Sequence, residues 1–173
     1  SLNMKNTKFK VIFNKVGYTS SGCDDVEFYV SFNLGENLNP LNKVASGGEM
    51  SRFMLAFKKI LSDVDKIETM IFDEIDTGIS GRAAQVVGEK LAEMSKYKQL
   101  ICITHLPQIA AFADDHYYIE KNVENERTFT SISNLDYEDR EKEIARLISG
   151  KIITEKTLEH SHEMIELAKK TKA

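Results

Sequence analysis

Tryptophan is absent from the 173 residues, and proline and cysteine occur only twice each. Two cysteines, Cys23 and Cys102, do not make a disulfide framework, so a disulfide-stapled secreted scaffold is excluded and a reducing, cytoplasmic compartment is expected. Cys102 sits in the apolar run Leu100–Ile103, where a thiol acts as a small buried hydrophobe. Long apolar stretches are also missing. Runs of a few residues fall far short of the roughly 20 that a membrane-spanning helix requires. Ser1 to Phe13 is polar and lysine-rich, unlike a signal peptide. Nor is one sign of charge in large excess: 23 Lys and Arg stand against 27 Asp and Glu, a formal charge of -4. That balance speaks against a general polyanion-binding surface. What remains, 42% hydrophobic and 29% charged residues, is the composition of a soluble globular domain, and the length fits one.

Hydrophobic periodicity divides the chain. Phe9, Val11 and Phe13 share one strand face, and Val26–Phe32 alternates apolar and polar residues, so the two predict a small antiparallel pair. Gly17–Asp25, rich in Ser, Gly and Asp, reads as a loop, as does Leu34–Ala45. From Ser46 the period becomes helical through Met50, Phe53, Met54, Phe57 and Ile60. Thr69–Phe72 and Leu100–Thr104 are short apolar strands flanking a helix from about Arg82 to Ser95. Pro107 opens a short helix through Ala113. His116–Glu120 and Thr128–Leu135 read as two more strands. Helices follow at about Asp139–Ile148 and Thr154–Lys170, with a break at Gly150. Strand, helix, strand is a βαβ unit, so the expected fold is α/β, a parallel sheet core flanked by helices with antiparallel edge strands.

Ligands of open parallel sheets lie beyond the carboxyl ends of the strands. Asp73 and Glu74 follow one such strand and His105 the next. Ser46-Gly47-Gly48-Glu49 opens a helix, where backbone N–H groups uncovered by side chains suit a phosphate. Taken singly, each has a plainer explanation: a solvated loop, a satisfied histidine, a cap and turn. Their shared order and context favour a site.

These residues resemble the ATP-binding-cassette ATPases. Ala45–Glu49 is similar to their signature motif and Thr69–Glu74 to their Walker B strand. Asp76–Gly81 resembles the D-loop region, and Leu100–His105 the switch-histidine strand. Ile75-Asp76 after Glu74 resembles the chromosome-maintenance, SMC-like branch. Within it, Lys43–Arg52, Phe72–Gly81 and Thr104–Ala110 resemble the RecN family of bacterial DNA-repair proteins. The resemblance implies a role in double-strand break repair and recombination, in a cytoplasmic, nucleoid-associated protein with no membrane partner. It implies ATP and Mg²⁺ as cofactors, Asp73 on the metal, Glu74 activating water and His105 at the γ-phosphate. Ser46, Gly47, Gly48 and Glu49 would serve ATP on a second head in a homodimer. Asp76 and Ser80 would communicate across that interface, although relatives often hold Asp where Ser80 stands. Such proteins act on DNA.

No G-x-x-x-x-G-K-[ST] loop occurs in the sequence. That loop cradles α- and β-phosphates and supplies a lysine, and proteins of the family this chain resembles carry it in an N-terminal lobe, so the resemblance implies a single C-terminal lobe over residues 1–173. Its own N-terminal Walker A lobe and a coiled coil would be absent, leaving the lobe inactive alone. Two alternatives are the lobe of another SMC-like ATPase and a non-catalytic dimerisation module; a scaffold has no use for the second carboxylate, Glu74. His160 and His162 stand i and i+2 on a helix, do not share a face, and so are not expected to bind metal. Tyr117 and Tyr118 read as strand residues rather than a base-stacking platform.

Overall fold

The chain enters through a long hairpin. β1 (Lys8–Thr19) pairs antiparallel with β2 (Gly22–Ser31), from Lys8 opposite Ser31 to Thr19 opposite Gly22. The computed structural model describes residues 2, 4, 6–44, 47–61, 66–124 and 127–172. Gly17–Asp25, expected as a loop, is instead the outer end of this hairpin, with only residues 20 and 21 in the turn. The outer end buries neither face, so Ser, Gly and Asp are tolerated there. Backbone pairing is supplemented by a Lys15–Asp24 ion pair at 2.6 Å and by Thr19 Oγ1 donating to Gly22 O at 2.7 Å. The two-residue β3 (Asn39–Pro40) joins β2, and a 3-10 turn, Leu41–Lys43, leads onward.

α1 (Gly47–Ile60) lies against the inner end of the hairpin through a cluster of rings. Phe53 stands 5.6 Å from Phe9, 6.2 Å from Phe32 and 6.1 Å from Phe57, while Phe28 lies 5.7 Å from Phe9, centroid to centroid. These separations are those of favourable stacked and edge-on pairs.

β4 (Thr69–Phe72), α2 (Gly81–Ser95) and β5 (Gln99–Cys102) form the expected βαβ unit. The strands run parallel, with Thr69 opposite Gln99 and Phe72 opposite Cys102. Buried Ala84, Val87, Gly88, Leu91 and Ala92 recur at helical spacing; Ala84, Val87 and Leu91 pack α2 onto the sheet, while Gly88 and Ala92 face the later helices. α3 (Pro107–Ala110) carries Pro107 in its first turn. β6 (Tyr117–Glu124) and β7 (Arg127–Asn134) form a second hairpin. α4 (Tyr137–Ser149), capped by Asp136 accepting from Asp139 N at 2.9 Å, and α5 (Glu155–Lys172) close the chain.

Among the described residues there are three separate sheets, β1-β2-β3, β4-β5 and β6-β7. The antiparallel strands therefore build their own sheets instead of extending the parallel pair at its edges. Each of these strands pairs with its neighbour in sequence, β1 with β2 across the turn at residues 20 and 21. Two cores result. One joins Leu55 of α1, Met70, Phe72 and Ile75 around β4, and Val87 and Leu91 of α2. The other joins Ala92, Ala110, Phe112, Ile144 and Ile165 among the four later helices.

The parallel pair is covered on one face only. Met70 and Phe72 are buried, but Ile71 is 68% exposed, Ile101 47% and Ile103 49% on the opposite face. Parallel sheets ordinarily have both faces covered.

α2 and α3 approach most closely at Gly88, where an added Cβ would lie 2.5 Å from Phe112 Cδ2 and 3.0 Å from Gln108 O. Alanine there would gain about 1 kcal/mol of helix propensity, but overpacking costs about 1–3 kcal/mol. Gly88→Ala is therefore expected to lower the urea midpoint of unfolding; an unchanged or higher midpoint would contradict this packing.

Candidate functional site

The site grows from the ends of β4 and β5. Ile103 N donates to Phe72 O at 2.9 Å, so the residues that follow, Asp73-Glu74 and Thr104-His105, leave the sheet side by side. Asp73 and Glu74 are exposed. Asp73 Oδ1 accepts from the backbone N of Glu74 at 2.9 Å.

Glu74 has φ 56, the one left-handed backbone among described non-glycine residues. Such a conformation costs on the order of 1–3 kcal/mol and persists where its surroundings over-determine it. Here two overlapping turns do so: Thr77 N donates to Glu74 O at 3.1 Å, and Ile79 N to Asp76 O at 3.3 Å. Gly78, at φ 74, lets the second turn close.

Asp76 is the hinge of this arrangement. It is 5% exposed. Its Oδ2 accepts from Thr104 Oγ1 at 2.6 Å, from His105 N at 2.9 Å, and from His105 Nδ1 at 3.0 Å. With Nδ1 on that carboxylate, Nε2 faces away from it, and the His105 side chain is 74% exposed. Asp76 thus points inward onto the neighbouring strand end. Ser80, by contrast, is exposed at the position before α2 and makes no side-chain cap bond.

The glycines at the start of α1 meet the same turn. A side chain at Gly47 would collide with the Glu74 carboxylate, and a Cβ at Gly48 would lie 2.7 Å from Thr77 O. The backbone contact requires glycine at 48, whereas at 47 the neighbour is the far end of an exposed side chain that can move aside. Ala45 and Ser46 lie outside the described residues. Glu49 is half-buried in the first turn of α1, where an acidic side chain complements the helix dipole.

Two further residues of α1 belong to the site. Ser51 Oγ donates to Asp73 O at 3.0 Å. Arg52 Nη1 donates to Ile75 O at 3.3 Å and to Thr77 O at 2.7 Å. Arg52 is 5% exposed, and burial pushes its pKa down, with nearby Glu49 partly opposing. Sequence reasoning missed both residues as site members. The available signal was a polar pair, Ser51-Arg52, set between Met50 and Phe53 on a helix that otherwise turns apolar residues inward.

His162 Nδ1 lies 2.6 Å from Glu141 Oε1, which ties α5 to α4, and His160 stands 3.8 Å from Glu163. Among the described residues no group of three His, Cys, Asp or Glu could hold a metal, and no helix is long and apolar enough to cross a membrane. Asp73 therefore offers a single exposed carboxylate. That fits Mg²⁺, which binds through one or two carboxylates, waters and substrate phosphates.

The fold defines a class first. The chain resembles the Smc head domain, with a coiled coil and joint, of Pyrococcus yayanosii. The TM-score is 0.59 at 21% identity, over 86% of this chain and 27% of that one. An Smc head from Pyrococcus furiosus, bound to the C-terminal domain of ScpA, gives 0.53 at 22% over 84% of this chain and 35% of that one. The fold is thus that of part of an Smc-type head, α/β with a parallel sheet.

In sequence the chain is similar to RecN. The chain is 47% identical over 173 residues to the DNA repair protein RecN of Halalkalibacterium halodurans, covering 97% of this chain and 31% of that protein. RecN of Bacillus subtilis is 46% identical over 157 residues, 91% of this chain and 27% of that protein. RecN of Treponema pallidum is 49% identical over 144 residues, 83% of this chain and 25% of that protein. The chain is RecN-like along nearly all its length and spans less than a third of these relatives. No protein-family model matches it.

Cys102 turns inward behind the rim. Burial, and then the charges of Asp76 and Asp73, push its thiol from the usual 9.0 up to about 12. The folded thiol holds its proton where the unfolded one loses it, so its contribution to stability falls as pH rises from 9.0 towards 12. Cys102 in the folded chain is expected to resist iodoacetamide at pH 8 and to react rapidly in urea. Equal rates in the two conditions would contradict the buried setting.

Proposed function

We propose that this chain is the signature-bearing lobe of a RecN-type ATPase head that acts in bacterial DNA double-strand break repair and recombination. The observation that carries the reading is the rim itself. Asp73, Glu74 and an Asp76-anchored His105 gather at adjacent strand ends, against the glycine-lined start of α1. The uncovered apolar face of β4 and β5, with Ile71, Ile101 and Ile103, supports the further reading that a Walker A-bearing N-terminal lobe of the same protein completes the sheet. Residues 1–173 are then one lobe, with its signature motif at 45–49, its Walker B strand at 69–74, its D-loop region at 76–81 and its switch-histidine strand at 100–105.

Bound Mg-ATP would supply the γ-phosphoryl group that passes to water as ADP departs, with the metal's charge offsetting that of the phosphates. Asp73 contributes a carboxylate to the Mg²⁺. Glu74 orients the attacking water and takes up its proton. His105, held through Nδ1, presents Nε2 to the γ-phosphate. Ser46, Gly47 and Gly48 offer hydroxyl and N–H groups to the γ-phosphate on a second head, and Glu49 steadies their loop. Ser80 lies at the surface where the two heads meet, and Asp76 conveys that contact to His105. Hydrolysis splits ATP into ADP and phosphate, breaks the γ-phosphate link between the heads and lets them open on DNA. The setting is the bacterial cytoplasm.

A non-catalytic dimerisation module is the second reading. The strained Glu74 weighs against it, because a scaffold has no reason to hold a carboxylate at a backbone cost.

In a head reconstituted from both lobes, Glu74→Gln is expected to reduce ATP turnover by at least about 100-fold while ATP-dependent dimers persist. Turnover at the parent rate, measured by phosphate release, would remove Glu74 from this role and favour the module.

A further inference from the structure

α1 reaches the catalytic turn through three hydrogen bonds, and they fall on alternate carbonyls. Ser51 holds Asp73 O, and Arg52 holds Ile75 O and Thr77 O. The two carbonyls on Arg52 flank Asp76, whose carboxylate anchors His105, and they follow directly on Glu74. The same guanidinium lies beneath the glycines, since a Cβ at Gly48 would stand 3.1 Å from Arg52 Nη1. A buried arginine whose hydrogen bonds on the turn go to backbone carbonyls is costly to place even with Glu49 nearby, and Arg52 Nε is a buried atom without a hydrogen-bond partner among the described residues. Packing alone would be better served by an apolar side chain.

We propose that Arg52 is a positioning residue that couples the signature end of α1 to the turn carrying Glu74 and Asp76. Engagement of the glycines by the partner's nucleotide then shifts α1, and Arg52 carries that shift to the carbonyls of Ile75 and Thr77. Glu74 and His105 are aligned only when both heads are loaded. Both Arg52 bonds leave the single nitrogen Nη1, whose two N–H groups are held at fixed angles in the guanidinium plane, whereas the N–H groups of a lysine ammonium turn freely. Nothing about Arg52 touches substrate; its effect passes through Glu74 and Asp76.

The inference rests on the ATPase reading above, and its test separates the two. Arg52→Gln, Arg52→Lys and Glu74→Gln are compared in the reconstituted head for fluorescent-ATP affinity, ATP-dependent dimerisation, melting temperature and turnover. Arg52→Gln is expected to bind ATP within about twofold of the parent and to form dimers, yet to turn over about 100-fold slower, the cost of a roughly 1 Å misplacement. Arg52→Lys, which keeps the charge and can reach one carbonyl, is expected to fold normally and recover part of the rate. It decides the question if Arg52→Gln fails to fold. If both Arg52 variants turn over within twofold of the parent while Glu74→Gln is silent, the ATPase reading stands and the coupling role is overturned. Losses of turnover matched by losses of ATP affinity or of melting temperature in Arg52→Lys also overturn it, marking Arg52 as fold support. Full turnover by Glu74→Gln would instead overturn the ATPase reading itself.

Discussion

One buried carboxylate sets the geometry on which the site depends. Asp76 gathers three donors from the end of β5 onto a single oxygen, at 2.6, 2.9 and 3.0 Å. Two short parallel strands with four residues each would leave their trailing loops free to diverge. The Asp76 bonds hold them together, and they fix the His105 ring through Nδ1. A buried carboxylate without such donors would be strongly destabilising, so the donors and the acceptor stabilise one another only as a set.

The same turn is gripped from its other side by α1. Ser51 and Arg52 take up carbonyls that would otherwise be unpaired near the protein interior. Gly47 and Gly48 permit the close approach of helix and turn. Between these two grips Glu74 is held in a left-handed backbone conformation. The strain and the catalytic assignment thus fall on the same residue, the pattern expected where the surrounding structure sacrifices local comfort for placement.

Much of this was legible in the sequence, for physical reasons specific to each segment. Met70 and Phe72 alternate with Thr69 and Ile71, and the apolar stripe of α2 repeats at helical spacing, so the βαβ unit announced itself. The polar residues that end those strands, Asp73, Glu74 and His105, stood out because they interrupt apolar runs at a strand's carboxyl end. The solvated end of the first hairpin did not, because a strand pair with no buried face carries no period-two signal between Gly17 and Asp25. Nor did the pairing of the strands into three separate sheets, which depends on turn geometry more than on pattern. The inward direction of Asp76 and the burial of Arg52 were invisible for a related reason: charged residues read as solvated until their partners, here a histidine 29 residues on and the carbonyls of a distant turn, are brought beside them.

The proposed second lobe rests on the open face of the parallel pair and on the absence of a G-x-x-x-x-G-K-[ST] loop from the sequence. Calorimetric titration of Mg-ATP into this chain alone, and then into the chain co-purified with a Walker A-bearing N-terminal lobe, tests it directly. The account predicts no measurable binding by the chain alone and micromolar or tighter binding by the pair. Tight binding by the isolated chain would contradict it, because these residues would then hold a phosphate site of their own.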